Sequence, residues 1–432
     1  MYVTILGRQP ALGIAELEQL YSSTSVRWFS DISALVDTPS LDFERLGGSQ
    51  KAGRVSAELH GDWRQVSMRL VKEYVSAWSS HEGKITLGLS AYGFKVTARD
   101  VQKTGVILKS KLKNHGVSLR LIPNAEPALN TATSHHNKLG LSDNHVEILI
   151  IRAANGRVLI AESIGAQNIT AIAARDQARP RTDAFVGMLP PKLARMMVNM
   201  AGGLYHLTPS AEAALSDSLP RPSSQPQADL SARSEAVSSG VIGGDIITDL
   251  HKPVLLDPFC GTGVVLQEAA LLGYDIYGTD LSEKMVDYSR INLEWITQKY
   301  SLDTAITIEQ ADAMDGHWRT PVDAVVCETY LGQPFSAPPS PDKLVQVRDN
   351  CNHIISSFLR NIGTQLRPDT PLVVAIPAWR DAAGNFTHLP LIGTLEKLGY
   401  DRITLKNARA EQLIYYREPQ VVARELLLLK KA

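Results

Sequence analysis

Asp257, Gly261 and Gly263 stand together where an apolar run ends, in Leu255-Leu256-Asp257-Pro258-Phe259-Cys260-Gly261-Thr262-Gly263, and the helical stretch VVLQEAALLG follows. An apolar strand running into a glycine turn lets the backbone bend sharply and approach a ligand, and the next helix begins with N–H groups that lack intrahelical partners. This suits a nucleotide-type ligand, although an ordinary tight strand-to-helix turn has the same outline. Leu266 stands where a dinucleotide fingerprint needs Gly or Ala, and no Gly-Lys-Ser/Thr follows, so phosphate-rich cofactors are disfavoured. Asp257 would repel a pyrophosphate but suits the cationic amino-acid end of S-adenosylmethionine. Asp280, at the end of DIYGTD, can accept both ribose hydroxyl hydrogens of an adenosine, and Asp312, in Gln-Ala-Asp-Ala, can accept from the adenine amino group. Helix capping is the plainer role open to each carboxylate.

A second group follows the strand-like Asp323-Ala324-Val325-Val326-Cys327, in Glu328-Thr329-Tyr330-Leu331-Gly332-Gln333-Pro334-Phe335. Methylating an exocyclic amine requires acceptors for its N–H groups and an aromatic face for the base. Glu328 can accept an amine hydrogen, and Tyr330 or Phe335 can stack on a base. The plainer alternative is that Glu328 caps a turn and Tyr330 packs. A Glu at the end of a buried strand is costly without a partner, which favours function. The Pro/Ser loop from Phe335 to Pro341 suits a substrate wall.

These groups need a scaffold. From residue 251 on, apolar strands alternate with helical stretches, which predicts a parallel sheet with crossover helices, LPLIGTLEKLG among them. LIYYREPQVVARELLLLK reads as two strands turning at Glu418-Pro419, an antiparallel hairpin at a sheet edge. Upstream, AELEQLY and TGVILKSKLKNHG read as helices, and ITLGLSAYG and VEILIIRA as strands, giving α+β modules over 1–80 and 81–170. Residues 171–207 form a connecting segment with a helix at Pro191 whose Leu193, Met196, Met197, Met200 and Ala201 make one apolar stripe. Residues 208–250, rich in Ser, Ala and Pro, read as a linker or insertion.

Composition narrows the partners. The chain has 432 residues, 44 Lys plus Arg against 45 Asp plus Glu, and a net charge of -1, so a nucleic-acid site must be local. Between His81 and Arg120 stand Lys84, Lys95, Arg99, Lys103, Lys109, Lys111, Lys113 and Arg120 against Glu82 and Asp100, with Tyr92 and Phe94 interleaved. Such a segment gains phosphate affinity by counterion release, or is simply a solvated basic face. Arg175, Arg179 and Arg181 are further phosphate candidates, unless Asp176 and Asp183 neutralise them. Three widely spaced cysteines and no cluster around His135-His136 give no metal site and no disulfide framework. With no export signal and no long apolar run, a cytoplasmic protein without a membrane span is expected.

The loop Asp257-Pro258-Phe259-Cys260-Gly261-Thr262-Gly263 resembles the S-adenosylmethionine loop of class I methyltransferases, most of all the THUMP-containing tRNA guanosine-N2 methyltransferases. Arg179-Pro180-Arg181-Thr182-Asp183, the run from Met188 to Asn199, and the ending from Tyr415 to Glu425 are similar to the same family, and LGRQPALGIAELEQLY and Pro127 to Leu139 more faintly. The resemblance implies a Rossmann-like α/β catalytic domain over 251–432, preceded by ferredoxin-like and THUMP-like α+β modules. It implies cofactor contacts at Asp257, Gly261, Gly263, Asp280 and Asp312, with Phe259 a further cofactor candidate in the same loop; read from the residues themselves, Glu328 and Tyr330 are the catalytic candidates, and Lys103, Lys109, Lys111, Arg179, Arg181 and Phe335 the candidate RNA contacts. The expected activity is methylation of a guanosine N2 in tRNA. DNA or ribosomal RNA as substrate, or RNA binding without catalysis, are the alternatives, because Glu328 takes the place of the family's Asp or Asn, Thr329 and Tyr330 replace its two prolines, and Leu331 replaces its aromatic residue.

Overall fold

A computed structural model describes residues 1–183, 189–202, 252–319, 321–418 and 420–432. The expected 208–250 linker, Met188 and Pro419 lie outside these described residues.

The N-terminal half is one mixed sheet. Strands β1 (Tyr2–Leu6), β2 (Val26–Ser30), β3 (Ser33–Val36), β4 (Ser49–His60), β5 (Lys84–Tyr92), β6 (Ser118–Leu121), β7 (His145–Arg152) and β8 (Arg157–Ala166) lie in the order β2-β3-β1-β4-β8-β7-β5-β6. The α+β segments expected at 1–80 and 81–170 therefore share a sheet, because β4 pairs with β8 from Lys51↔Ala166 to His60↔Arg157. Helices α1 (Pro10–Tyr21), α2 (Trp63–Trp78), α3 (Ala98–Lys113) and α4 (Thr131–His136) accompany it. The ends of α2 and α3 are written locally: Asp62 with Gln65, and Thr97 with Asp100, each close a capping box that pairs otherwise orphaned N–H groups. On α3, Val101, Leu108 and Leu112 are buried, whereas Lys103, Lys109, Lys111 and Lys113 remain exposed.

Inside this sheet Lys51 and Glu147 form an ion pair with side chains 2% and 0% exposed. Ser90 donates to Glu147 at 2.5 Å and Lys51 donates to the Leu129 carbonyl at 2.7 Å, so the charges sit in a polar network that ties β4, β5 and β7 to the segment before α4.

Helix α5 (Ile169–Gln177) and α6 (Pro191–Gly202) lead to the second half. The stripe expected on α6 is an understatement: every residue of that helix except Lys192 is buried, because α6 packs on α1, on helix α7 (Val264–Leu271) and on the second sheet. Its polar residues are consumed there. Asn199 donates to Glu16 at 2.7 Å, and Glu268 of α7 is held between Arg175 at 2.6 Å and Arg195 at 2.7 Å. Burial pushes the Glu268 carboxyl up, but the two guanidiniums outweigh it and hold it below its ordinary value.

The second sheet contains β9 (Val254–Asp257), β10 (Asp275–Asp280), β11 (Ile306–Gln310), β12 (Ala324–Glu328), β13 (Pro371–Arg380), β15 (Tyr400–Arg402) and β17 (Val422–Lys431) in the order β11-β10-β9-β12-β13-β17-β15. The first five strands are mutually parallel, as the alternation predicts, and β17 is antiparallel to β13. Helices α8 (Glu283–Tyr300) and α9 (Pro341–Gly363) supply crossovers. Two expectations are corrected. The C-terminal hairpin exists, β16 (Ile414–Tyr415) pairing with β17, but β17 is interior, covered by β13 on one side and β15 on the other. And LPLIGTLEKLG forms only the 3₁₀ turns Pro390–Thr394 and Glu396–Leu398, since a stretch this short, with Gly393 inside and Gly399 at φ +84°, cannot sustain α-helix. No described helix is long and apolar enough to cross a membrane.

Candidate active site

At the carboxyl ends of β9, β10 and β12 the chain leaves a cleft of about 840 Å³, lined by Asp257, Phe259, Gly261, Asp280, Asp312, Glu328 and Tyr330 among others. A parallel sheet opens such a crevice where strand order reverses, here at β9 between β10 and β12.

The glycine loop forms the floor. Gly261 and Gly263 adopt φ of +52° and +83°, a region open to glycine without steric cost, and a Cβ on Gly263 would lie 3.2 Å from the Ser289 hydroxyl. Gly263 thus shapes the turn rather than lining the cleft. The loop is clamped from behind by α8: Ser289 donates to the Gly261 carbonyl at 2.8 Å, and Asn292 donates to the Thr262 carbonyl at 2.9 Å.

The carboxylates divide by environment. Asp257 is 1% exposed and accepts only the Phe259 N–H at 3.1 Å among the described residues; burial, with Asp280 and Glu328 nearby, pushes it well above the ordinary carboxylate range. A carboxyl so buried and with one such partner ionises more readily beside a cation. Asp280 accepts N–H groups from Gly261 and Ser282, both at 2.9 Å, and burial raises its pKa. Asp312 accepts the Met314 N–H at 2.9 Å. None of the three caps a helix, the plainer role the sequence allowed; each instead orders its own turn and borders the cleft.

The cleft is also lined by Glu328, at the end of β12, and Tyr330, 43% exposed. Glu328 forms an ion pair with Arg424 of β17, and burial raises its pKa against the pull of that guanidinium. Sequence reasoning missed Arg424; its one signal was a charged pair, Arg424-Glu425, in an otherwise apolar strand. The hydroxyl of Thr329 is tied to the Ala375 carbonyl at 3.0 Å.

Other expected residues lie elsewhere. Arg179 cannot meet an external phosphate: its side chain is 0% exposed, it lies 3.7 Å from Asp176, and it donates to Thr262 at 3.4 Å behind the cofactor loop. Arg181 is exposed beside the cleft with its guanidinium 5.9 Å from the Tyr288 ring, while Asp183 pairs with Lys284 at 2.7 Å. Phe335 packs on the apolar cluster beneath the sheet instead of lining the cleft. Lys103, Lys109 and Lys111 belong to the N-terminal half, on α3. Among the described residues no His/Cys/Asp/Glu group could hold a metal, and Cys260, Cys327 and Cys351 are free and buried.

Residues 250–351 match the model of a protein family described as an RMKL-like methyltransferase domain. The chain is 32% identical over 159 residues, 36% of its length, to a tRNA (guanine(10)-N2)-dimethyltransferase of Methanothermobacter thermautotrophicus, spanning 32% of that protein. Over 41 residues, 10% of the chain and 12% of the relative, it is 54% identical to a tRNA (guanine(10)-N2)-dimethyltransferase of Pyrococcus abyssi. The chain thus spans less than a third of the length of either relative. Among solved structures, TrmN from Thermus thermophilus aligns over 100% of this chain and 99% of its own at 16% identity, with a TM-score of 0.49. The match to a methyltransferase domain thus falls on the residues that hold β9 to β12 and the reversal of strand order at which the cleft opens.

Proposed function

We propose that the chain is an S-adenosylmethionine-dependent RNA methyltransferase acting on the exocyclic N2 of a guanosine in tRNA. The observation that carries the reading is one cleft bordered by two unlike groups, buried Asp257 with Asp280 and Asp312, and Glu328 with Tyr330. The cofactor fits the first group by donor chemistry, since Asp257 offers a buried carboxyl with one hydrogen-bond partner to an ammonium, Asp280 offers acceptors to a ribose, and Asp312 offers one to an adenine amine. When bound, it supplies a methyl group already activated on a sulfonium. The chain's own residues then do positioning: Glu328 accepts an N–H of the target amine so that its lone pair faces the methyl, Tyr330 stacks on the base, and Phe259 closes the loop over the cofactor, braced edge-on by Phe358 at 5.1 Å.

The exposed lysines of α3 and Arg181 at the cleft rim take the phosphate backbone, and residues 81–170 serve as the THUMP-like RNA module. The names of the relatives support tRNA over DNA or ribosomal RNA. Transfer of label from S-adenosylmethionine to unmodified tRNA, followed by nucleoside analysis, should yield N2-methylated guanosine; label appearing only in DNA or ribosomal RNA would reject the substrate. RNA binding without catalysis is favoured by the tied-down Thr329; tRNA binding with no label transferred by wild type would leave that reading standing, and transfer lost in Glu328→Gln would exclude it.

A further inference from the structure

We infer that Arg424 is a positioning residue that turns the Glu328 carboxylate, holding one oxygen so that the other faces the substrate side of the cleft. The inference rests on the proposed methyl transfer at this site and deepens it. Arg424 binds Oε1 of Glu328 through Nε, and no hydrogen bond is made to Oε2 by any described residue. Glu328 lines the cleft with its side chain 15% exposed, while that of Arg424 is 8% exposed and comes from a different strand. The contact spans β13, since Glu328 lies opposite Ala375 and Arg424 opposite Pro377. A flexible Glu has one more torsion than the Asp or Asn it replaces, so fixing one oxygen removes the freedom that the longer side chain adds. The guanidinium also favours the ionised, accepting form in a site where burial opposes it. The charged groups that face Glu328 are Arg424 from β17 and Asp257 from the end of β9; the Cys327 thiol lies beside it on β12 and Tyr330 follows it. Of these, only Arg424 opposes burial.

The test uses the full chain with Arg424→Gln and Arg424→Lys. Difference infrared spectra against Glu328→Gln isolate the Glu328 carboxyl; its titration should move to higher pH in Arg424→Gln and partly return in Arg424→Lys. Methyl transfer should fall at least tenfold in kcat in Arg424→Gln, with its acid limb shifted in the same direction and calorimetric affinity for S-adenosylmethionine unchanged. A Glu328 titration unmoved by Arg424→Gln overturns the inference whatever the activity. A moved titration with unchanged kcat and pH profile overturns the positioning role. If wild type methylates no nucleic acid while the titration moves, the functional reading fails and the positioning role falls with it, but the ion pair stands. Should Arg424→Gln fold poorly by circular dichroism, Arg424→Lys carries the same comparison, and a pH limb identical to wild type in that variant also counts against the inference.

Discussion

The molecule contains two carboxylates that are paired with a cation across a strand, and they have opposite consequences. Glu147 lies mid-strand on β7, sealed with Lys51, Ser90 and the Leu129 backbone, and its pair is closed to solvent. Glu328 lies on the last residue of β12, where the sheet stops and the cleft begins, and its pair with Arg424 leaves an oxygen open. The chemistry of the two pairs is alike; position along the strand separates a pair enclosed in the sheet from one that borders the cleft. Oε2 of Glu147 also makes no hydrogen bond among the described residues, but it is buried where neither water nor a ligand reaches it, which costs stability. At a strand end the unmet lone pair is available to a ligand.

The largest effect should come from breaking the sealed pair. Lys51→Met leaves Glu147 charged and alone and should cost about 3 to 5 kcal/mol in chemical denaturation, whereas Lys51→Met with Glu147→Leu should recover most of that loss. Equal losses in the single and double variants would show that the network matters through its shape, not its charge. Glu328→Gln should reverse the pattern, lowering kcat about 100-fold with a smaller loss of stability than Lys51→Met, measured by single-turnover methyl transfer beside thermal melts. On the cofactor wall, Asp280→Ala removes an acceptor and both N–H contacts of its turn; calorimetry should record an affinity for S-adenosylmethionine weaker by about 10- to 100-fold.

Asp257 yields a pH prediction. Its folded-state pKa lies above its unfolded one, so its contribution to stability is fully present below the ordinary carboxylate range and is lost as pH rises through the folded-state value. The ligand-free protein should therefore melt with a shallower decline toward acid than Asp257→Asn, and binding of the cationic cofactor should release protons, read from calorimetry in buffers of different ionisation enthalpy. The smallest effects belong to α3: each of Lys103→Ala, Lys109→Ala and Lys111→Ala should lower the salt slope of tRNA binding by about one and leave cofactor affinity unchanged.

How far the sequence reaches can be seen residue by residue. The glycine loop, the parallel alternation and the helix read from TGVILKSKLKNHG are local signals, and all three are present in the structure, though α3 starts earlier, at Ala98. Arg179 was misjudged because charge alone does not reveal that α5 and the cofactor loop enclose it, and Phe335 because an aromatic near a site in sequence can turn into the core beneath. The joining of 1–80 with 81–170 was hidden since β4 and β8 are separated by about a hundred residues and carry no mark of their partner. The same holds for Arg424, ninety-six positions from Glu328.

From the amino-acid order alone came what neighbours a few residues apart can decide: where strands and helices begin, which turn must be glycine, and which acids stand at strand ends. Only the tertiary structure decided which charges are buried, which face a ligand and which oppose each other across a strand, because burial and pairing depend on distances between segments that the chain brings together only when it folds.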